Sequence, residues 1–162
     1  MAIHILSTGG TIDKIHDPIT EKLIFGDRSH VSDMVSNSNV PNLQFSSVML
    51  KDSLDINNDD RQIMADFVAA CDEERIIITH GTSTMVETAQ FIAQHSSDKI
   101  IVLTGAMRPY SLFQGDSEFN LGCAIGAVQT LDSGVYIAMN GQIFNHDNVV
   151  KNTELGIFQK VK

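Results

Sequence analysis

Apolar, β-branched-rich runs recur along the chain, each closed by glycine or turn residues: Ile3 to Ser7, Leu43 to Leu50, Arg75 to Thr79, Lys99 to Thr104 and Gly134 to Asn140. They predict strands, and the runs without polar alternation predict strands buried on both faces. Between them, apolar residues return every three to four positions. In Asp60 to Cys71 one stripe collects Ile63, Met64, Phe67, Val68 and Cys71. From Thr84 the stripe is Met85, Ala89 and Ile92, and in Glu118 to Leu131 it is Phe119, Gly122, Ile125, Gly126 and Val128. The small residues of that last segment predict close packing. A shorter helix is expected over Ser32 to Ser36. Strands alternating with helices require right-handed crossovers. The expected fold is therefore α/β, a doubly wound, mostly parallel sheet with helices on both faces. Ligands of such sheets bind outside the carboxyl ends of the strands.

One segment lacks steady periodicity. Asp13 to Arg28 mixes Asp, Pro, Thr, Lys and Gly directly after the first strand. A loop of that length beside a strand end is a lid or a surface hairpin. There is no repeat, low-complexity tract or interdomain linker, and 162 residues suit one domain.

Composition narrows the function classes. With 11 basic and 20 acidic residues, net charge −9, the chain has no Lys/Arg cluster to displace counterions from nucleic acid. Aromatics are 6% with no Trp, too few for a base-stacking platform. No apolar run approaches the roughly 18 residues of a membrane span, and Met1 to Leu6 lack a secretory pattern. Cys71 and Cys123 have neither disulfide-framework nor metal-ligand spacing, and the six histidines form no HExxH-type pair. The expectation is a cytoplasmic protein with no metal and no cofactor, and with no nucleic-acid or membrane partner.

Polar residues collect where the strands end. The first strand runs into Ser7-Thr8-Gly9-Gly10-Thr11-Ile12, a sharp turn with free N–H groups and a hydroxyl beyond it. No Gly-Lys-Ser/Thr follows, and the third glycine of a dinucleotide fingerprint is missing. The third strand runs into Thr79-His80-Gly81-Thr82-Ser83-Thr84 at the start of a helix. N-capping is expected to occupy one of these hydroxyls but does not require three. The fourth ends in Thr104-Gly105-Ala106-Met107-Arg108-Pro109. Asp116-Ser117-Glu118 reads as a helix start, and Asp147-Asn148-Val149-Val150-Lys151-Asn152 carries a lone lysine.

In combination, the segments STGGTI, ITHGTSTMVETA, VLTGAMRP, FNLGCAIGA and HDNVVKN resemble, in order, the N-terminal domain of bacterial-type L-asparaginases. The resemblance covers the whole chain, 1–162, as a single catalytic domain. The family's usual C-terminal domain is absent, so the chain reads as a short, single-domain asparaginase or a fragment of a longer one. The resemblance implies that Thr11 is the nucleophile that attacks the side-chain amide, Thr82 the second catalytic threonine, and Lys151 the lysine that activates a hydroxyl. It further implies that Ser53 binds the substrate α-carboxylate and that Ala106 contributes to the carbonyl site. Backbone N–H groups at the Gly10 and Gly81 turns suit an oxyanion or carboxylate. A threonine hydroxyl needs an adjacent base to react at neutral pH, and a lysine of lowered pKa can serve.

Ser83 stands where the family has an aspartate that pairs with the substrate ammonium. A charge-assisted hydrogen bond contributes roughly 1.5–3 kcal/mol against about 1 for a neutral one. That difference weakens binding by roughly 3- to 30-fold unless another carboxylate, Asp116 or Asp55, substitutes. The lid lacks the family's tyrosine, with His16 and Phe25 as the available polar group and cover. The missing C-terminal domain also removes an acidic contact and exposes a former interface, which predicts a homo-oligomer. The resulting expectation is an amidohydrolase that converts L-asparagine to L-aspartate and ammonia, pocket length deciding whether glutamine is also accepted. The alternative is a non-catalytic module that binds an acidic amino acid or a protein partner.

Overall fold

A computed structural model describes residues 2–96 and 98–161. Its centre is a six-stranded sheet built from β1 (Ile3–Gly9), β4 (Leu43–Lys51), β5 (Arg75–Thr79), β6 (Ile100–Thr104), β7 (Gly134–Met139) and β8 (Gln142–Asn145). The spatial order is β4-β1-β5-β6-β7-β8, parallel throughout except for β8, which runs antiparallel to β7. Two small hairpins stand apart, β2 (Lys14–Asp17) with β3 (Lys22–Phe25), and β9 (Val150–Asn152) with β10 (Ile157–Gln159). The helices are α1 (Val31–Met34), α2 (Asn58–Ala70), α3 (Met85–Ala93) and α4 (Ser117–Val128).

The buried side chains explain why the sheet is wound on both sides. In β5, Ile76 and Ile78 join a core with Met64 and Val68 of α2 and Met85, Ala89 and Ile92 of α3. Their neighbour Ile77 joins Val31 and Met34 of α1 and Leu121, Ala124 and Val128 of α4 on the opposite face. In β6, Ile101 and Leu103 likewise separate from Ile100 and Val102. Side chains that alternate across a strand but are apolar on both faces need two helical layers.

Two predicted helix stripes are corrected. Along α4 the buried set is Leu121, Ala124, Ile125, Ala127 and Val128, whereas Gly122 and Gly126 are exposed with open space beside them and Phe119 is 61% exposed. Glycine adds no apolar area, so the larger residues one position away set the rotation of the helix. In α2, Ile63 is 48% exposed while Met64, Ala65 and Val68 are buried. This helix starts at Asn57, whose side chain accepts from the Asp60 N–H while the Asp60 carboxylate accepts from the Asn57 N–H, a capping box. The turn from β7 to β8 is Asn140-Gly141, both in the left-handed region at φ 55° and 71°. That pair suits a tight antiparallel hairpin and accounts for the reversed last strand. No helix among the described residues is long and apolar enough to cross a membrane.

The corrected rotation of α4 has a measurable consequence. Leu121→Ala should cost about 2–5 kcal/mol in urea unfolding, and Phe119→Ala less than about 1 kcal/mol. The predicted stripe, with Phe119 buried, requires the reverse ranking.

Candidate active site

The chain leaves β1 for one edge of the sheet at β4, then returns to the other side of β1 with β5. The carboxyl ends of β1 and β5 therefore flank the point where the winding direction reverses, the place where doubly wound sheets form a crevice. Thr11 follows β1 by two residues and opens a 3-10 turn, Thr11–Asp13. Thr82 follows β5 by three residues and is buried, with 6% of its surface exposed.

Glycine brings the two turns together. Gly10 has φ +82°, and a Cβ built on it would lie 2.3 Å from the Gly81 nitrogen. A Cβ on Gly81 would lie 2.6 Å from Ser53 Cβ, and one on Gly105 only 2.2 Å from the His80 carbonyl oxygen. The turns after β1, β4, β5 and β6 thus interlock by close contacts, backbone on backbone at Gly10 and Gly105 and against the Ser53 side chain at Gly81, that no larger residue permits. Across this seam the Gly10 N–H donates to the Lys51 carbonyl at 2.9 Å, and the His80 N–H to the Thr104 carbonyl at 2.8 Å.

Side chains then fix each turn. Asp13 is fully buried, and its carboxylate accepts from Ser7 Oγ (2.8 Å), Ser29 Oγ (2.9 Å) and the His30 N–H (2.8 Å). Those bonds tie the Thr11 turn to β1 and to the chain beyond β3. His80 is also fully buried. Its Nδ1 donates to the Gly81 carbonyl at 2.8 Å, so in the neutral ring Nε2 accepts from the Thr88 hydroxyl at 2.9 Å. Thr88 Oγ1 in turn accepts from Arg61 Nε at 3.1 Å. Burial pushes the His80 pKa down to about 4.

Lys151 reaches the site from β9, and its Nζ lies 2.7 Å from Thr82 Oγ1. Partial burial holds the ammonium below the ordinary lysine range. As an ammonium, Lys151 donates to Thr82; as a neutral amine it can take the hydroxyl proton. Its hairpin is held by Asn140, whose side-chain oxygen accepts from the Phe158 N–H at 2.8 Å. Asn120 closes the chain of contacts, donating to the Gly105 carbonyl at 3.0 Å and accepting from the Asn140 N–H at 3.3 Å.

The remaining sequence-predicted residues fall as follows. Ser53 is buried, and its Oγ accepts from the Ser83 N–H at 3.2 Å. Ser83 is exposed. Ala106 is fully buried, backbone included, in one core cluster with Ile12, Val102 and Leu121. The capping expectation is corrected, because α3 has Thr84 at its N-cap and no side-chain cap bond. Thr84 Oγ1 donates instead to the Ser53 carbonyl at 2.7 Å, binding the β4 turn to the β5 turn. Asp116 is committed elsewhere, accepting from the backbone N–H groups of Met107 and Arg108 and from the Asn120 amide. Asp55, exposed at the end of the Ser53–Asp55 turn, is the carboxylate left on the element that touches Ser83. The segment after Thr11 is the β2–β3 hairpin, with His16 exposed and Phe25 half-buried.

Sequence reasoning did not single out Asp13, Asn120 or Asn140. Asn140-Gly141 carried a hairpin signal. Asp13 and Asn120 act through partners distant in sequence, which no local pattern marks.

A sequence model described as Asparaginase, N-terminal, matches residues 2–160. The chain belongs to the asparaginase family. L-asparaginase 2 of Escherichia coli is 31% identical over 98% of this chain and 49% of its own length. The glutaminase-asparaginase of Pseudomonas fluorescens is 30% identical over 91% of this chain and 44% of its own length. The chain spans about half the length of these relatives. Among solved structures, the "Probable Cytoplasmic L-asparaginase from Campylobacter jejuni" superposes with TM-score 0.81 at 29% identity, covering 98% of this chain and 52% of the other. The thermostable L-asparaginase from Thermococcus kodakarensis, at 24% identity, shares the fold with TM-score 0.87 over 99% of this chain and 51% of its own. The interlocked turns described above thus sit on a fold shared with these asparaginases.

The buried His80 makes stability depend on pH. Its folded pKa lies below the ordinary value of 6.5, so the unfolded chain takes up a proton that the folded chain refuses. Its contribution is fully present above pH 6.5 and is lost as pH falls from 6.5 toward 4. Between pH 7 and 4.5 the loss should be about 2–3 kcal/mol in urea unfolding. In His80→Gln that part of the pH slope should vanish.

Proposed function

We propose that this asparaginase-family chain hydrolyses L-asparagine to L-aspartate and ammonia through a threonine nucleophile. The observation that carries the reading is the 2.7 Å contact of Lys151 Nζ with Thr82 Oγ1 at the winding-reversal crevice, against which the Thr11 turn is pressed. Thr11 Oγ1 attacks the side-chain amide carbonyl. The displaced proton passes to a neutral Lys151, directly or through Thr82, and from there to the departing nitrogen, which leaves as ammonia. Water, deprotonated by the same groups, then cleaves the acyl-threonine and regenerates the hydroxyl. The Gly10 N–H is held by the Lys51 carbonyl, so the oxyanion falls to backbone N–H groups that follow Gly10 and Gly81, a role in which each donor is worth about 3–4 kcal/mol. Ser53 and the turn amides bind the α-carboxylate, and Ala106, fully buried, backs the carbonyl site. No step is routed through a metal or cofactor.

Glutamine is the second substrate of this reading, since several relatives are named glutaminase-asparaginase. The cellular setting consistent with it is the cytoplasm. The acting species is a homo-oligomer, supported by exposed apolar side chains on the 107–119 segment and the β9–β10 hairpin, Phe113, Phe119 and Leu155 among them.

Ammonia release by purified protein at neutral pH tests the reading, with melting temperature followed in parallel. Thr11→Ala should fold normally and lose activity by orders of magnitude, while Thr11→Ser keeps part of it. Lys151→Met should be comparably damaging, and the double variant no worse than either, because residues acting as a unit fail together. Wild type that is folded yet releases no more ammonia than Thr11→Ala overturns the catalytic reading in favour of a binding module.

Ser83 gives a separate expectation for the substrate's amino end. Ser83→Asp should lower the KM for asparagine by roughly 3- to 30-fold. Weakened affinity instead would remove Ser83 from the neighbourhood of the ammonium.

A further inference from the structure

At the opposite end of β1 from Thr11, three side chains of different chemistry converge. His4 comes from β1, Cys71 from the C-terminus of α2 and Glu73 from the connection to β5. One atom from each lies within 4.8 Å of the others, and all three residues are partly buried. Glu73 Oε2 sits between the other two, 3.1 Å from His4 Nδ1 and 3.0 Å from Cys71 Sγ. None of the three takes part in the chemistry proposed above. From His4 to Gly9, five residues along a strand, the separation is about 17 Å.

We propose that His4 Nδ1, Cys71 Sγ and Glu73 Oε2 form a binding site for one divalent transition-metal ion of the zinc class, with water as the fourth ligand. A thiolate, an imidazole and a carboxylate are a donor set for such ions, whereas magnesium and calcium select oxygen. Tetrahedral zinc, with bonds of about 2.0–2.3 Å, spaces its ligand atoms roughly 3.3–3.6 Å apart. The two hydrogen-bonded spacings here need to open by only a few tenths of an ångström. Binding replaces those two hydrogen bonds: the thiol proton leaves to solvent, and the neutral His4 ring takes the tautomer with its hydrogen on Nε2, which leaves the Nδ1 lone pair for the metal.

The surroundings are arranged for that state. The other ring nitrogen, His4 Nε2, is 2.9 Å from Ser46 Oγ, which can accept its N–H and so hold the ring with Nδ1 facing the metal. The edge of the His4 ring packs on Phe67, with centroids 5.1 Å apart. Lys99 Nζ donates to the backbone carbonyls of Cys71 and Glu73, holding the loop that carries two of the ligands. Two anionic ligands neutralise a dication. The bound ion would staple β1 to the end of α2 and the entry of β5, and its effect would be on stability, independent of the hydrolytic reading.

Cobalt titration of chelator-treated protein reads thiolate ligation directly. The wild-type chain should take up one equivalent of Co²⁺ with a thiolate-to-cobalt charge-transfer band in the near ultraviolet. Zn²⁺ should bleach that band and raise the melting temperature. Cys71→Ser should lose the band, Cys123→Ser should keep it, and His4→Gln should weaken binding by at least about tenfold. Absence of the band in wild type overturns the proposal without recourse to any variant. So does a band that survives Cys71→Ser, or an affinity unchanged in His4→Gln.

Discussion

The close approach of two glycine turns, Gly10 against Gly81, is the constraint on which the candidate active site depends. These turns leave adjacent strands at the point where the sheet's winding reverses, so their helices and loops diverge to opposite faces. Divergence opens a crevice, and absent Cβ atoms let its two walls come into backbone contact at the base. Gly81 in turn lies against Ser53, and Gly105 against the His80 carbonyl. The ends of four neighbouring parallel strands are thereby set relative to one another by contacts made at glycine. A hydroxyl carried one residue beyond such a turn, as on Thr11 and Thr82, inherits that placement.

Buried polar groups hold the turns where glycine allows them to be. Asp13, with three donors on its carboxylate, fixes the segment after Thr11. His80 stays neutral because burial disfavours its charge, and the neutral ring completes a one-way sequence of hydrogen bonds from Arg61 through Thr88 to the Gly81 carbonyl. A protonated ring would have two donors and no lone pair for Thr88. Fully satisfied buried networks of this kind specify one arrangement, since each missing partner leaves a costly unpaired group. Asn120 and Asn140 extend the same logic to the hairpin that carries Lys151.

The two ends of the sheet divide their chemistry. At the carboxyl end, the glycine turns carry two threonine hydroxyls, and one half-buried lysine meets the second of them. At the amino end, a thiol, an imidazole and a carboxylate share a single oxygen as their meeting point. Strand β1 connects the two, with His4 near one end and Thr11 just past the other. Its central residues, Ile5 and Leu6, are buried on opposite faces, so the strand belongs to both cores.

The alternation of β-branched runs with helical stripes determined the fold class, because buried parallel strands leave continuous apolar runs and covering helices leave a three-to-four spacing. Local motifs likewise marked Thr11 and Thr82, since glycine turns after strands and hydroxyls beside them are written in consecutive residues, whereas Lys151 stood out only through the family resemblance. Helix rotation was less legible: in α4 a stripe through Gly122 and Gly126 resembled the stripe through Leu121, Ala124 and Val128, and only packing against the sheet chose between them. The β8 strand was not among the expected elements, and its antiparallel direction follows from the left-handed geometry of Asn140-Gly141. Tertiary structure alone decided that Ser53 and Thr84 bind each other rather than cap a helix, that Asp116 braces a turn, and that Asp13 and His80 are the buried supports of the two threonine turns. It alone brought His4 to Cys71 and Glu73. The physical reason is common to all of these: a hydrogen bond or ligand set between residues distant in sequence depends on where strands end in space, and hydrophobic periodicity specifies the faces of elements but not the neighbours of their ends.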